Sequence, residues 1–291
     1  MSLTPTEFYA APGRHTDVTR FGIEVAGVEV AVDIVQGLLV YDLAAKDLYG
    51  VELSSEQANA VHERNAATLL DLARAIDPRP LDECRGPGER IGGRCNTYSV
   101  LTVALLRAAG IPARARCGFA SYFVPGYYED HWVAEYWDAE RHRWTMVDAQ
   151  LDETWQRTIG MSSDIPVSVG PEQFVTAGHA WQSWRAGELD AARCGLTSID
   201  EHGAFWIAGN LRLDLAALNK VEMLPWDVWG LGWEPGEEPT AEVLSAFDAI
   251  AELTIDPDER LDELVDRYES DPSFRMDGTV FSVLLGKQQS V

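Results

Sequence analysis

The chain has 291 residues, 46% of them hydrophobic, enough to bury a sizeable core in one large domain or two small ones. A net charge of −24 and an isoelectric point near 4.5 argue against nucleic acid or an anionic membrane as a partner. The plain reading of that charge is an acidic, solubilising surface.

The four cysteines, Cys84, Cys95, Cys117 and Cys194, form no CxxC pair, and no cysteine–histidine spacing suits a metal, so no metal or other cofactor is expected. The N-terminus lacks the basic start and apolar stretch of a signal peptide, and no apolar run approaches membrane-spanning length. Together with the unpaired thiols, this predicts a reducing, cytoplasmic setting without a membrane partner.

Residues up to about Thr19 read as irregular, and Val30 to Leu48 as mostly helical and apolar. Ser54 with Gln57 matches a capping box, opening a helix that Val61, Leu69, Leu70, Leu72 and Ile76 carry to Ile76. Asp77-Pro78-Arg79-Pro80 stops it. A loop from Cys84 to Gly88 then leads to Gly92-Gly93-Arg94-Cys95, and Cys84 reads as an incidental loop cysteine.

From Cys95 to about Ala109 the pattern is helical. Val100, Leu101, Val103, Ala104, Leu105 and Leu106 give an apolar face wide enough for a nearly buried helix, and Gly110 with Pro112 ends it. Cys95 therefore falls at a helix N-terminus, where unpaired N–H groups and the helix dipole favour a thiolate and suit an oxyanion. Gly92 and Gly93 are expected to let the backbone turn tightly and a substrate come close.

Ala113 to Phe119 reads as a strand, followed by a loop through Pro125-Gly126-Tyr127-Tyr128. His131 to Trp137 reads as a second strand, Asp138 to Arg141 as a hairpin connection, and Trp144 to Val147 as the partner strand. A thiol, an imidazole and a carboxylate thus follow one another as Cys95, His131 and Asp148, the parts of a nucleophilic triad.

From Gly93 to Asp148 the chain resembles the transglutaminase-like superfamily of papain-related cysteine enzymes, bacterial type. The matching pieces are Gly-Arg-Cys before a helix, Leu106 to Arg114 after it, His131-Trp132 on a strand, and Trp144 with Val147-Asp148 on the next. The resemblance implies an α+β fold in which a helix packs on an antiparallel sheet. It also implies catalytic roles for Cys95, His131 and Asp148, in acyl transfer on an amide or peptide substrate. Two departures stand out. Ala149-Gln150 follows Asp148 where many members have a proline. No tryptophan precedes Trp132, and the nearest upstream glutamine is Gln57, so the second oxyanion donor is unassigned.

The second half reads as mainly helical. Pro171 is expected to open a helix bearing the stripe Phe174, Ala177, Trp181 and Trp184. Gly209 to Trp233 mixes polar and aromatic residues, either as a cap over the core or as a cleft wall. Glu234 to Pro239 is a loop, and Leu244 to Leu264 an amphipathic helical region.

The expected organisation is a transglutaminase-like catalytic core with N-terminal helices over residues 1–160, and a mainly helical C-terminal region over 161–291 packed on it. The expected function is that of a thiol-dependent amidase, peptidase or acyltransferase, with Tyr127, Tyr128, Trp132 and Trp226 lining an aromatic cleft. The alternatives are a non-catalytic member of the same fold that binds a peptide or small molecule, and an assembly subunit.

Overall fold

In a computed structural model that describes residues 3–161 and 167–291, the chain divides into two units, and no single break in the sequence separates them. The first unit takes Leu3–Ala115 and Trp132–Gly170, the second Arg116–His131 and Pro171–Val291.

The first unit begins with α1 (Pro5–Ala10) in the stretch expected to be irregular. Thr4 and Glu7 form a reciprocal capping box there, two bonds that hold a helix too short to persist alone. The apolar run from Val30 to Leu48 is mostly helical, as expected, but interrupted by a strand. It is α2 (Val28–Leu38), β1 (Leu39–Tyr41) and, after a tight turn, α3 (Ala45–Tyr49). An apolar run does not by itself distinguish a buried strand from a buried helix. Here β1 pairs in parallel with β2 (Ile91–Gly93), about fifty residues onward. The helix expected from Ser54 to Ile76 is likewise two, α4 (Ser55–Asn59) and α5 (Ala66–Ile76). The capping box at Ser54 and Gln57 is present, and Asn65 starts α5 afresh by accepting from the Ala67 and Thr68 N–H groups.

The central helix is α6 (Cys95–Ala108), buried from Cys95 to Arg107. Gly110, at φ 74°, supplies the left-handed turn that ends it. The three expected strands follow as β3 (Ala113–Ala120), β4 (Tyr128–Asp138) and β5 (Arg143–Asp148). β4 and β5 are antiparallel, in register from Ala134 against Val147 to Asp138 against Arg143. α7 (Glu153–Thr158) is capped by Asp152, and β6 (Val167–Val169) runs antiparallel to β5. Ser99 on α6 donates to the Val133 carbonyl of β4 at 2.7 Å, so the helix lies on the sheet as the resemblance implies. Arg114 and Glu135 form a buried ion pair at 2.6 Å, with the guanidinium 4.0 Å from the centre of the Trp144 ring.

β3 and β4 both cross the division of the chain, which passes to the second unit after Ala115 and returns at Trp132. In that second unit β3 pairs antiparallel with β7 (Phe174–Thr176). The pairing corrects the expected helix from Pro171: Phe174 belongs to a strand, and α8 begins only at Ala177, running to Arg185. A Cβ at Gly118 would lie 2.2 Å from the Val175 carbonyl oxygen, so the close β3–β7 approach requires glycine there. β8 (Cys194–Leu196) pairs in parallel with the start of β4 and antiparallel with β9 (Glu201–His202).

α9 (Ala204–Leu218) is the buried helix of this unit. Its Asp214 accepts from the Arg116 guanidinium at 3.0 and 2.9 Å and from the Cys117 N–H at 2.8 Å. The C-terminal part is less helical than expected. β10 (Asp227–Val228), β11 (Thr279–Ser282) and β12 (Lys287–Ser290) make an antiparallel sheet in that order. The amphipathic helical region expected near Leu244 to Leu264 is two helices, α10 (Ala241–Ile255) and α11 (Leu261–Ser270). Trp181, fully buried, meets Trp184 and Trp233 edge-on and Phe247 at a tilt, which places this residue of α8 in the core. The fold is therefore α+β, with helices before and after a helix-on-sheet core.

Candidate active site

Cys95 is the first residue of α6, and the segment before it is held at several points. β1 and β2 pair Leu39 with Ile91, Val40 with Gly92 and Tyr41 with Gly93. Immediately beyond that register, Arg94 and Asp42 form a two-pronged ion pair, Nε to Oδ1 at 3.0 Å and Nη2 to Oδ2 at 3.1 Å. The Gln57 amide donates to the carbonyls of Gly88 at 2.9 Å and Arg90 at 2.8 Å, while its oxygen accepts from the Ser54 N–H. Both Gln57 protons are thus engaged in holding this segment.

The tight turn expected at Gly92 and Gly93 is not there. Neither Gly92 nor Gly93 has a positive φ, and both belong to β2. A Cβ at Gly92 would lie 2.9 Å from the Gln57 carbonyl oxygen, and one at Gly93 would lie 3.2 Å from Leu39. Gly92 is thus fixed by the close passage of the Gln57 backbone, and Gly93 faces only a tight contact with the Leu39 and Thr97 side chains.

Cys95 is 8% exposed and carries a free thiol. Asp148 ends β5 and is 1% exposed. Its Oδ1 accepts from the Gln150 N–H at 2.9 Å, and Gln36 of α2 donates to the Ala149 carbonyl at 3.1 Å. The turn that lacks the usual proline is therefore closed by the carboxylate itself and pinned by a glutamine more than a hundred residues earlier.

His131 belongs to the second unit, on β4, and is 2% exposed. It is surrounded edge-on by the rings of Phe123, Tyr122 and Phe174, at 4.9, 5.9 and 6.5 Å between centres. Beside it, Asn210 donates to Asp130 at 2.8 Å and to the Gly118 carbonyl at 3.0 Å. Burial pushes the Asp130 carboxyl up to about 6, against the opposing hydrogen bond from Asn210.

The four expected substrate contacts separate by burial. In the second unit, Tyr127 is 39% exposed, and Tyr128 lies under the Arg193 guanidinium, 5.5 Å from its ring centre. Trp226 of the same unit is 8% exposed, and its carbonyl accepts from Val283 beside β11. Trp132, in the first unit, is 1% exposed with its indole N–H buried and unpartnered. Among the described residues, no group of three His, Cys, Asp or Glu side chains is arranged to hold a metal ion, and no helix is long and apolar enough to cross a membrane.

Several of the supporting residues left no signal in the sequence. Gln36, Asp42 and Asn210 are ordinary polar residues in their own segments, and only folding brings them to Ala149, Arg94 and Asp130. The capping box at Ser54 and Gln57 was legible, but not the two carbonyls that Gln57 holds.

Residues 84–149 match the model of the Transglutaminase-like superfamily, a span that contains Cys95, His131 and Asp148. This segment of the chain is therefore similar to the transglutaminase-like superfamily. A crystal structure of a candidate cysteine protease from Cytophaga hutchinsonii aligns with 49% of this chain at 20% identity and a TM-score of 0.29. The aligned part covers 40% of that protein. No curated protein matches the chain.

Proposed function

We propose that this protein is a thiol-dependent amide hydrolase or acyltransferase in which Cys95 is the nucleophile, His131 the base and Asp148 the orienting carboxylate. The observation that carries this reading is the family match over 84–149, which includes all three residues, together with a free cysteine at the first position of a buried helix. The His131 imidazole takes the thiol proton, and the sulfur attacks the amide carbonyl carbon. Helix N–H groups, that of Cys95 first, receive the developing oxyanion. The C–N bond then breaks, the amine leaves with the proton from the imidazolium, and a thioester remains. Water releases an acid, and an amine releases a new amide. Asp148 holds the imidazole tautomer and supports its positive charge.

Gln57 is not the second oxyanion donor in this scheme, because both of its amide protons hold backbone carbonyls. Tyr127, exposed on its loop, and Tyr128 form the aromatic contact for a peptide-like substrate. The test is intact-mass analysis after incubation with a mixed amide, ester and peptide library. An acyl adduct that maps to Cys95 and is cleared by water or an amine supports the reading. Absence of any adduct on Cys95 while another thiol is acylated rejects it.

A further inference from the structure

Arg94 is an unusual residue for its position. Short acceptors such as Ser, Thr, Asp and Asn are preferred where a helix begins, and a positive charge is unfavourable beside the positive end of the helix dipole. Yet Arg94 is the N-cap of α6, and no acidic residue occupies the first turn to balance it. The balancing carboxylate comes from elsewhere. Asp42 directly follows β1 just as Arg94 directly follows β2, so the parallel register delivers the two side chains to each other. They are 12% and 19% exposed, which sets this pair apart from surface ion pairs of little consequence. The Arg94 backbone meanwhile starts the helix: its carbonyl accepts from Thr97 and Tyr98 at 2.7 and 3.2 Å, and its N–H donates to Thr97 Oγ1. One residue is thus gripped at its guanidinium by Asp42 and at its backbone by the first turn, and the next residue is Cys95.

We propose that the Asp42–Arg94 ion pair is a positioning device for Cys95, fixing the start of α6 under the nucleophile while cancelling the charge that does the fixing. This rests on Cys95 being the nucleophile. Asp42 and Arg94 are positioning residues and touch no substrate. The His62 imidazole is held below its usual range by burial first, then by Arg94, with Asp42 opposing.

The test measures Cys95 alkylation by iodoacetamide at about pH 6, with peptide mapping, and acylation by p-nitrophenyl acetate, in the full chain. Arg94→Gln leaves a lone carboxylate beside the helix start and slows alkylation by about threefold, whereas Asp42→Asn leaves a lone guanidinium and speeds it by about the same factor. The double variant Asp42→Asn/Arg94→Gln has no lone charge and is alkylated within about twofold of the parent rate. It is nevertheless acylated at least about fivefold more slowly, because carbonyl attack needs aligned N–H donors and alkylation does not. Single variants that shift alkylation in the same direction, or a double variant acylated at the parent rate, overturn the proposal. Should a single variant fail to fold, the double variant decides by its ratio of acylation to alkylation. In the parent protein, faster alkylation of Cys84, Cys117 or Cys194 than of Cys95 rejects the catalytic reading itself, which is a separate failure.

Discussion

Asp148 closes a turn and, in the proposed triad, also carries the charge that orients the imidazole. One oxygen accepts from the Gln150 N–H and closes the turn after β5, in a side chain that is 1% exposed. An amide in its place keeps an acceptor oxygen for that N–H but loses the negative charge. Asp148→Asn is therefore expected to unfold close to the parent temperature while acyl turnover falls by roughly 10²–10⁴. Asp148→Ala loses the turn as well, at a cost of about 1–3 kcal/mol for the stranded N–H. Comparing thermal unfolding with turnover in the two variants checks this. An Asn variant with parent activity would remove Asp148 from the triad. Reagent access sorts the thiols in the same way. Burial pushes the Cys194 thiol up to about 12 and Cys117 has no exposed surface, so both should resist alkylation until the chain unfolds.

Buried titratable groups at the joints between elements contribute to stability. His15 is 7% exposed, its Nε2 has no partner, and its carbonyl accepts from Ala66 at the start of α5. Its imidazole is lowered from 6.5 to about 4, by burial first and then by Arg14 and Arg64. Between those values the unfolded chain binds a proton that the folded chain refuses. The stability contribution is full above about pH 6.5 and is lost as pH falls toward 4, by at most about 3 kcal/mol. His15→Gln should flatten that loss when thermal unfolding is followed from neutral to acid pH, and an unchanged slope would discount the buried imidazole. In the second unit, Asp214 of α9 holds both Arg116 and the Cys117 N–H of β3, at 0% exposure. Asp214→Asn strands a buried guanidinium and should cost about 3–5 kcal/mol in urea unfolding. A loss below about 1 kcal/mol would mean that the Thr254 carbonyl suffices for Arg116.

At the scale of the whole molecule, the chain cannot be cut into its two units at one point. Arg116–His131 belongs to the second unit, yet it is flanked on both sides by segments of the first. A fragment ending at Gly160 retains β3 and β4 but lacks β7, β8 and α9, leaving Arg116 without Asp214 and Gly118 without its strand partner. Such a fragment is expected to show helix by circular dichroism without the dispersed amide spectrum of a packed sheet. A fragment that unfolds cooperatively with native dispersion would overturn that expectation. Adding residues 171–291 as a separate chain tests whether the missing pairings alone are at fault.

Sequence by itself determined the helix that begins at Cys95 and the strands that carry His131 and Asp148. Each of these is written locally, in an apolar face of helical period, in Gly110 and Pro112 as a stop, and in a polar connection between two aromatic, β-branched runs. The order thiol, imidazole, carboxylate could be read for the same reason. Tertiary structure alone decided that Leu39–Tyr41 is a strand, that Phe174–Thr176 precedes its helix as another, and that the chain ends in a three-stranded sheet. It also decided that Gly92 lies against the Gln57 backbone, and that Asp42, Gln36 and Gln57 hold Arg94, Ala149 and Gly88. The physical reason is common to all of them. A strand acquires its identity from the strand it pairs with, and a buried polar group from the partner that satisfies it. Those partners lie tens to more than a hundred residues away, where no local pattern records them.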